Sequence, residues 1–202
     1  NFEMHLIQIA RRISRNGILI DQFPRRLLLN SATYRWRKRQ GMFNLLVSFH
    51  NKNLGLDCNV NSPPKMKQLL YEDLKLPIKK KRDGKITTDE DAIVELLTYV
   101  KNEKQKLVRP DAIQRWQEKE VILGTIIEIR GLRKLISSYL NTRLSSDGRL
   151  RATYKVSTVE TGRWACELFV DKTGVNAQTF PREGYDVSEE DMKQENELTA
   201  AE

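Results

Sequence analysis

Asp147-Gly148-Arg149-Leu150-Arg151-Ala152-Thr153-Tyr154-Lys155-Val156 interrupts a chain that otherwise reads with helical periodicity. Asp147-Gly148 is a turn signal, because aspartate bonds its own backbone and glycine accepts positive φ. Beyond it Leu150, Ala152, Tyr154 and Val156 alternate with Arg151, Thr153 and Lys155. That period of two predicts a strand. Residues 158–166 read as a second strand, bent at Gly162. The fold class expected is α+β and mostly helical.

Working upstream, residues 111–140 predict a long helix with one apolar face: Ile122, Ile126, Ile129, Ile136 and Leu140. Arg130, Lys134, Ser137, Ser138 and Asn141 fall together on another face. Such a column of cations and hydroxyls suits a phosphate backbone, and equally suits an ordinary solvated face. Thr88 reads as a helix cap, followed by Asp89, Glu90 and Asp91 in a first turn where the helix dipole favours acids. Residues 79–85 form a basic loop, either near nucleic acid or simply solvated. Ser62-Pro63 has the cap-then-proline form of a helix start. A second long helix is expected over residues 23–50, rich in arginine and carrying Tyr34, Trp36 and Phe43. In the first helix Phe2, Leu6, Ile9 and Ile13 share one face. Its end carries Arg11, Arg12 and Arg15 before Asn16-Gly17 breaks it. Residues 183–202 are acidic and poor in large apolar side chains, which predicts a disordered tail.

Composition bounds the function. The 202 residues are 39% hydrophobic and 31% charged, with net charge +8 and pI about 9.5. That is a globular chain favouring a polyanionic partner. Cys58 and Cys166 form no metal or disulfide spacing, which fits a reducing, intracellular and cytoplasmic setting. No apolar run is long enough to span a bilayer, so no membrane partner is expected. His5 and His50 lack ligand-spaced neighbours and read as structural. No phosphate-binding loop, dinucleotide fingerprint or nucleophile elbow occurs. No carboxylate pair of the kind that holds metals for phosphoryl transfer is evident. The first residue is Asn1 rather than methionine, which suggests an excised piece.

Four blocks carry a resemblance. Arg12-Ile13-Ser14-Arg15-Asn16-Gly17-Ile18-Leu19-Ile20-Asp21 comes first. Asn61-Ser62-Pro63 follows with Leu70-Tyr71-Glu72-Asp73-Leu74 and Leu76-Pro77. Arg130-Gly131-Leu132-Arg133-Lys134-Leu135-Ile136-Ser137-Ser138-Tyr139 is third. The last is Gly148-Arg149-Leu150 with Tyr154, then Glu160-Thr161-Gly162-Arg163 and Asn176-Ala177-Gln178-Thr179-Phe180-Pro181. In this order they resemble motifs of the family A, polymerase I-like DNA polymerases, and together they span roughly Glu3 to Pro181.

The resemblance implies a long helical thumb on a partial antiparallel palm sheet. Residues 1–21 would be a palm-associated helix and strand, 22–140 the thumb, and 141–182 the opening of the palm with the primer-end segment. Arg163 matches the family arginine that reaches minor-groove acceptors near the primer terminus, a position common to all base pairs. Asn176 and Gln178 match amides touching the duplex nearby. Arg130 and Lys134 match residues near the backbone. Ser138, Tyr154, Ser62 and Lys65 complete the expected DNA-binding set. Trp164-Ala165-Cys166 replaces the family's L-S-S, Thr179-Phe180 replaces N-I, and Pro64-Lys65 replaces K-Q. Residues 167–174 lengthen one connection, as in phage or viral members. Trp164 and Phe180 read as packing residues, with stacking on a base as the alternative.

The family's metal-binding aspartate motifs and its nucleotide-binding fingers helix have no counterpart in this sequence. The expectation is therefore a primer-template-binding portion without catalytic or metal residues, inactive alone. Magnesium and the rest of the polymerase would complete it. Two rivals stand beside that reading: a stand-alone nucleic-acid-binding module serving a separate catalytic polypeptide, and a basic helical protein-interaction domain.

Overall fold

The computed structural model describes residues 2–50, 58–156, 163–170 and 173–179. Its elements in chain order are α1 (Phe2–Asn16), β1 (Ile18–Leu19), α2 (Gln22–His50), α3 (Pro63–Lys67), α4 (Glu90–Gln105), α5 (Pro110–Leu135), β2 (Arg149–Leu150), β3 (Thr153–Lys155) and β4 (Ala165–Glu167). The mostly helical α+β class expected from sequence is what forms. Two compact units divide within α2 and α5: one comprises Asn1–Thr33 with Lys134–Glu202, the other Tyr34–Arg133.

The helical unit has one apolar core. Phe43 and Val47 of α2, Ile93, Leu96 and Val100 of α4, and Ile122, Leu123, Ile126 and Ile129 of α5 are fully buried. Met66, Leu69 and Leu70 plug it from the segment starting at α3. Those spacings of three and four present one stripe per helix, which is why three charged helices can share a core. After α3 the chain widens over Gln68–Asp73, closing with Leu74 N–H donating to the Leu69 carbonyl five residues back at 2.9 Å. Ser62 does occupy the cap of α3, but its side chain makes no cap bond. The cap of α4 is Asp89 rather than Thr88, since the Asp89 carboxylate accepts from Ala92 N–H at 3.2 Å. Thr88 is buried instead, and its carbonyl is used elsewhere.

The second unit is built on backbone closure more than on large side chains. Its first helix buries Ala10 and Ser14, while Ile9 and Ile13 of the expected apolar face stay exposed. Small residues let β3 approach α1 closely, and Ser14 Oγ accepts from Tyr154 N–H at 3.2 Å. His5 is exposed as well. The chain reverses at Gly17, whose φ is +57° and where a Cβ would lie 2.6 Å from the Leu150 carbonyl oxygen. This brings β1 antiparallel to β2, with Ile18 opposite Leu150.

The single strand expected over residues 150–156 is divided. β2 ends at Leu150 and β3 starts at Thr153, because the Arg151 carbonyl is taken by Val175 N–H at 3.3 Å. Gly174 permits that insertion: its φ is +80°, and a Cβ there would sit 1.8 Å from the Arg151 oxygen. β3 pairs antiparallel with β4, placing Tyr154 opposite Cys166. The expected second strand is thus seen as Ala165–Glu167, while its residues 158–162 lie outside the described residues. The acidic segment 183–202 and Phe180 also lie outside them.

Candidate nucleic-acid interface

In the unit holding the strands, Arg163 and Gln178 come together around Trp164. Asn176 starts the short helical turn Ala177–Thr179: its Oδ1 accepts from Gln178 N–H at 3.0 Å and its carbonyl from Thr179 N–H at 3.1 Å. The turn aims the Gln178 amide at the Trp164 carbonyl, 2.6 Å away. Tyr139 hydroxyl donates to the Thr179 carbonyl and ties the turn to the helical segment before it. On the other side, the Trp164 ring meets Tyr154 edge-on, with centroids 6.4 Å apart. Burial raises the Tyr154 phenol above its ordinary value, so it stays a neutral donor. Arg163, immediately before this anchored residue, is exposed and has no ion-pair or hydrogen-bond partner among the described residues. A guanidinium presented from a fixed backbone, with its five donors uncommitted, suits flat bidentate acceptors such as phosphate or base edges.

Lys134 at the end of α5 and Ser138 beyond it are both exposed. Over Ile136–Leu140 the helix widens, and Asn141 N–H reaches the Ile136 carbonyl at 2.8 Å. The carbonyls there are held by Arg25, whose Nε donates to Leu140 at 2.9 Å and whose Nη2 donates to Thr142. This is a long-range helix cap from α2 that periodicity does not reveal.

In the helical unit, Lys67, Lys81, Lys85 and Arg130 line an open cavity of about 790 Å³. Residues 79–85 form a bonded turn rather than a loose loop: Lys81 N–H donates to the Lys85 carbonyl and Gly84 N–H to that of Lys81, each at 2.9 Å. Lys79, Lys81 and Lys85 are each paired with an acid, Glu95, Asp89 and Asp83 respectively. Such exposed pairs are worth little and exchange readily for another anion. Lys67, Lys80 and Arg82 have no acid partner among the described residues. Lys67 is the cation sequence reasoning passed over; its sign is the second lysine of Pro63-Pro64-Lys65-Met66-Lys67. Lys65 is half-buried, and its charge opposes the rise that burial imposes on the Cys58 thiol.

Arg130 takes a different place from the one its helical column suggests. Its Nε and Nη2 donate to the Val60 carbonyl at 3.3 and 2.9 Å, and Nη1 donates to the Thr88 carbonyl at 2.7 Å. Burial lowers its pKa, with Glu90 and Asp89 opposing, which leaves it charged as an arginine must be. It therefore braces two loops of the cavity wall. Among the described residues no three His, Cys, Asp or Glu side chains converge on a possible metal. No helix among them is long and apolar enough to cross a membrane.

Positioned cations around an exposed arginine, on a helical unit beside a small sheet-bearing unit, define a nucleic-acid-binding type of surface. Comparison with known proteins gives that surface a lineage. The chain is 28% identical over 179 residues to DNA polymerase I of Caldicellulosiruptor bescii, a match covering 82% of this chain. It spans 17% of that relative's length. Its fold matches the polymerase domain of Pol1 from M. smegmatis, solved with DNA primer-template and dNTP, at TM-score 0.65 and 20% identity. That match covers 90% of this chain and 27% of the other. No family model matches. The resemblance to polymerase I-like enzymes read from the four sequence blocks is thus borne out over most of the chain.

Proposed function

We propose that this chain is the part of a template-directed DNA polymerase that grips and aligns the primer-template duplex. The helical unit would be centred on the thumb and the sheet-bearing unit would be the opening of the palm. The observation that carries the reading is Arg163: exposed, uncommitted among the described residues, and fixed from behind by the Gln178 bond to Trp164. It would reach minor-groove acceptors that every base pair offers, sensing pairing without reading sequence. Lys134, Ser138, Lys67 and the turn at residues 79–85 would hold phosphates. Ser62, Lys65 and Arg130 would support that wall rather than touch DNA through their main polar groups.

The nucleotide chemistry, with magnesium, would belong to the complete polymerase. The partner surface for the rest of that enzyme is suggested by Ile18, Leu19 and Phe23, which are 62%, 65% and 77% exposed. Apolar side chains clustered this way favour a covering partner.

A fluorescence-anisotropy titration of the chain against labelled primer-template tests the reading. Binding is expected to fall linearly on a logarithmic salt scale, because each phosphate contact releases counterions. Lys134→Ala should weaken all sequences alike and flatten that slope by about one unit. Arg163→Ala should cost more on a duplex with a recessed primer end than on blunt duplex. Salt-insensitive binding, or none at low ionic strength, would remove the proposal.

A further inference from the structure

A second cavity lies within the sheet-bearing unit, between α1 and β3, with a volume of about 520 Å³. None of the residues assigned to the duplex above accounts for it. Arg11 and Arg15 stand at its edge, one helical turn apart on the same side. Neither has an ion-pair partner among the described residues, and no carboxylate among those residues lines the cavity. Like charges at that spacing destabilise a helix, so the pair is better satisfied with an anion between them. Thr153 lines the cavity too, and its Oγ1 is buried with no hydrogen-bond partner. A buried hydroxyl without a partner is uncommon and points to a group that completes it. Ile7, Ala10 and Phe169 make the walls largely apolar. Lys155, also on the lining, is already bonded to Glu167 at 2.6 Å and adds no free charge.

We infer that this cavity binds a small anion with a flat apolar body, of the chemical class of a nucleoside monophosphate. The two guanidiniums would take the phosphate oxygens in paired bonds. Thr153 Oγ1 would bond a polar atom of the ligand, and the ring would lie against the apolar walls. The volume falls within the range of roughly 300–1,000 Å³ typical of small-molecule sites. The source is either a free nucleotide or the phosphorylated end of a strand. This site is separate from the Arg163 surface, and neither reading depends on the other.

Titration calorimetry on the whole chain tests it with deoxyadenosine monophosphate, deoxyadenosine and inorganic phosphate. Saturable binding of the monophosphate is expected, tighter than either half by roughly tenfold or more. The paired change Arg11→Gln and Arg15→Gln should weaken it by roughly tenfold, since both charge-assisted contacts are lost. Thr153→Val should weaken it by roughly threefold to tenfold while leaving the melting temperature unchanged or raised, because the hydroxyl has no partner in the fold. Equal competition by a 5′-phosphorylated dinucleotide would support the site with a strand end as its source. No saturable monophosphate binding would overturn the inference. So would binding matched by phosphate alone, binding matched by deoxyadenosine, or binding undiminished in the arginine variants.

Discussion

Arg130 donates to carbonyls 70 and 42 residues away in sequence, so one side chain closes two loops of the helical unit. Charge-assisted bonds of this kind contribute more than neutral ones, and removing the donor leaves two inward-facing acceptors to resolvate. Arg130→Ala is expected to destabilise the chain by about 2–4 kcal/mol, measured by urea unfolding. Arg130→Lys should recover less than half of that, since an ammonium lacks the planar fork that serves both carbonyls. A wild-type unfolding midpoint in Arg130→Lys would show that charge alone is enough. Gly174 is held by a different constraint. With positive φ and no room beside the Arg151 oxygen, Gly174→Ala should cost about 2 kcal/mol or more. The same measurement checks it, and a neutral result would mean that residues 174–175 do not insert beside Arg151.

At the scale of elements, α2, α4 and α5 were legible because three- and four-residue spacing states both the helix and its buried stripe. Ile122, Ile126 and Ile129 were read as core and are fully buried. Spacing says less where backbone partners decide. Ala10 and Ser14 were invisible as an interface because small residues carry no hydrophobic signal, yet they set how closely β3 approaches. The split between β2 and β3 depends on Val175, which no local pattern links to Arg151. The Arg163, Asn176 and Gln178 positions were legible through motif order, whereas the Gln178 bond to Trp164 needed the turn that Asn176 builds. The turn before β2 offers a pH test. Two Arg151 nitrogens reach the Asp147 carboxylate at 2.6 Å each, and these bonds hold its pKa at about 2 against an ordinary 3.8. Because the folded value is depressed, its contribution is complete above the ordinary value and is lost as pH falls through about 2. Carboxyl NMR titration should find that midpoint near 2, rising toward 3.8 in Arg151→Gln. No change in Arg151→Gln would assign the depression to the backbone N–H of Arg149 instead.

For the molecule as a whole, the two units differ in what holds them. The helical unit buries Phe43, Met66, Leu69, Ile93, Ile122 and Ile126 completely in one cluster. The sheet-bearing unit has short strands, a buried Ala10–Ser14 contact and several large apolar side chains in water, Phe23 among them. Hydrophobic stabilisation scales with apolar area removed from water, so it is concentrated in the first unit. Local opening free energies should follow the same division. Hydrogen exchange followed by mass spectrometry is therefore expected to show the strongest protection in α4 and in α5 through Ile129, with exchange in β1 to β4 faster by at least about tenfold. Binding of primer-template should then protect β4 and residues 176–179 more than the core helices. Those strands have the lower opening energy to raise, and a ligand stabilises the segments whose opening would release it. Uniform protection across both units without DNA would mean that the sheet is held by more than its own contacts. An unchanged β4 on binding would separate Arg163 from the duplex even if the chain as a whole still bound it.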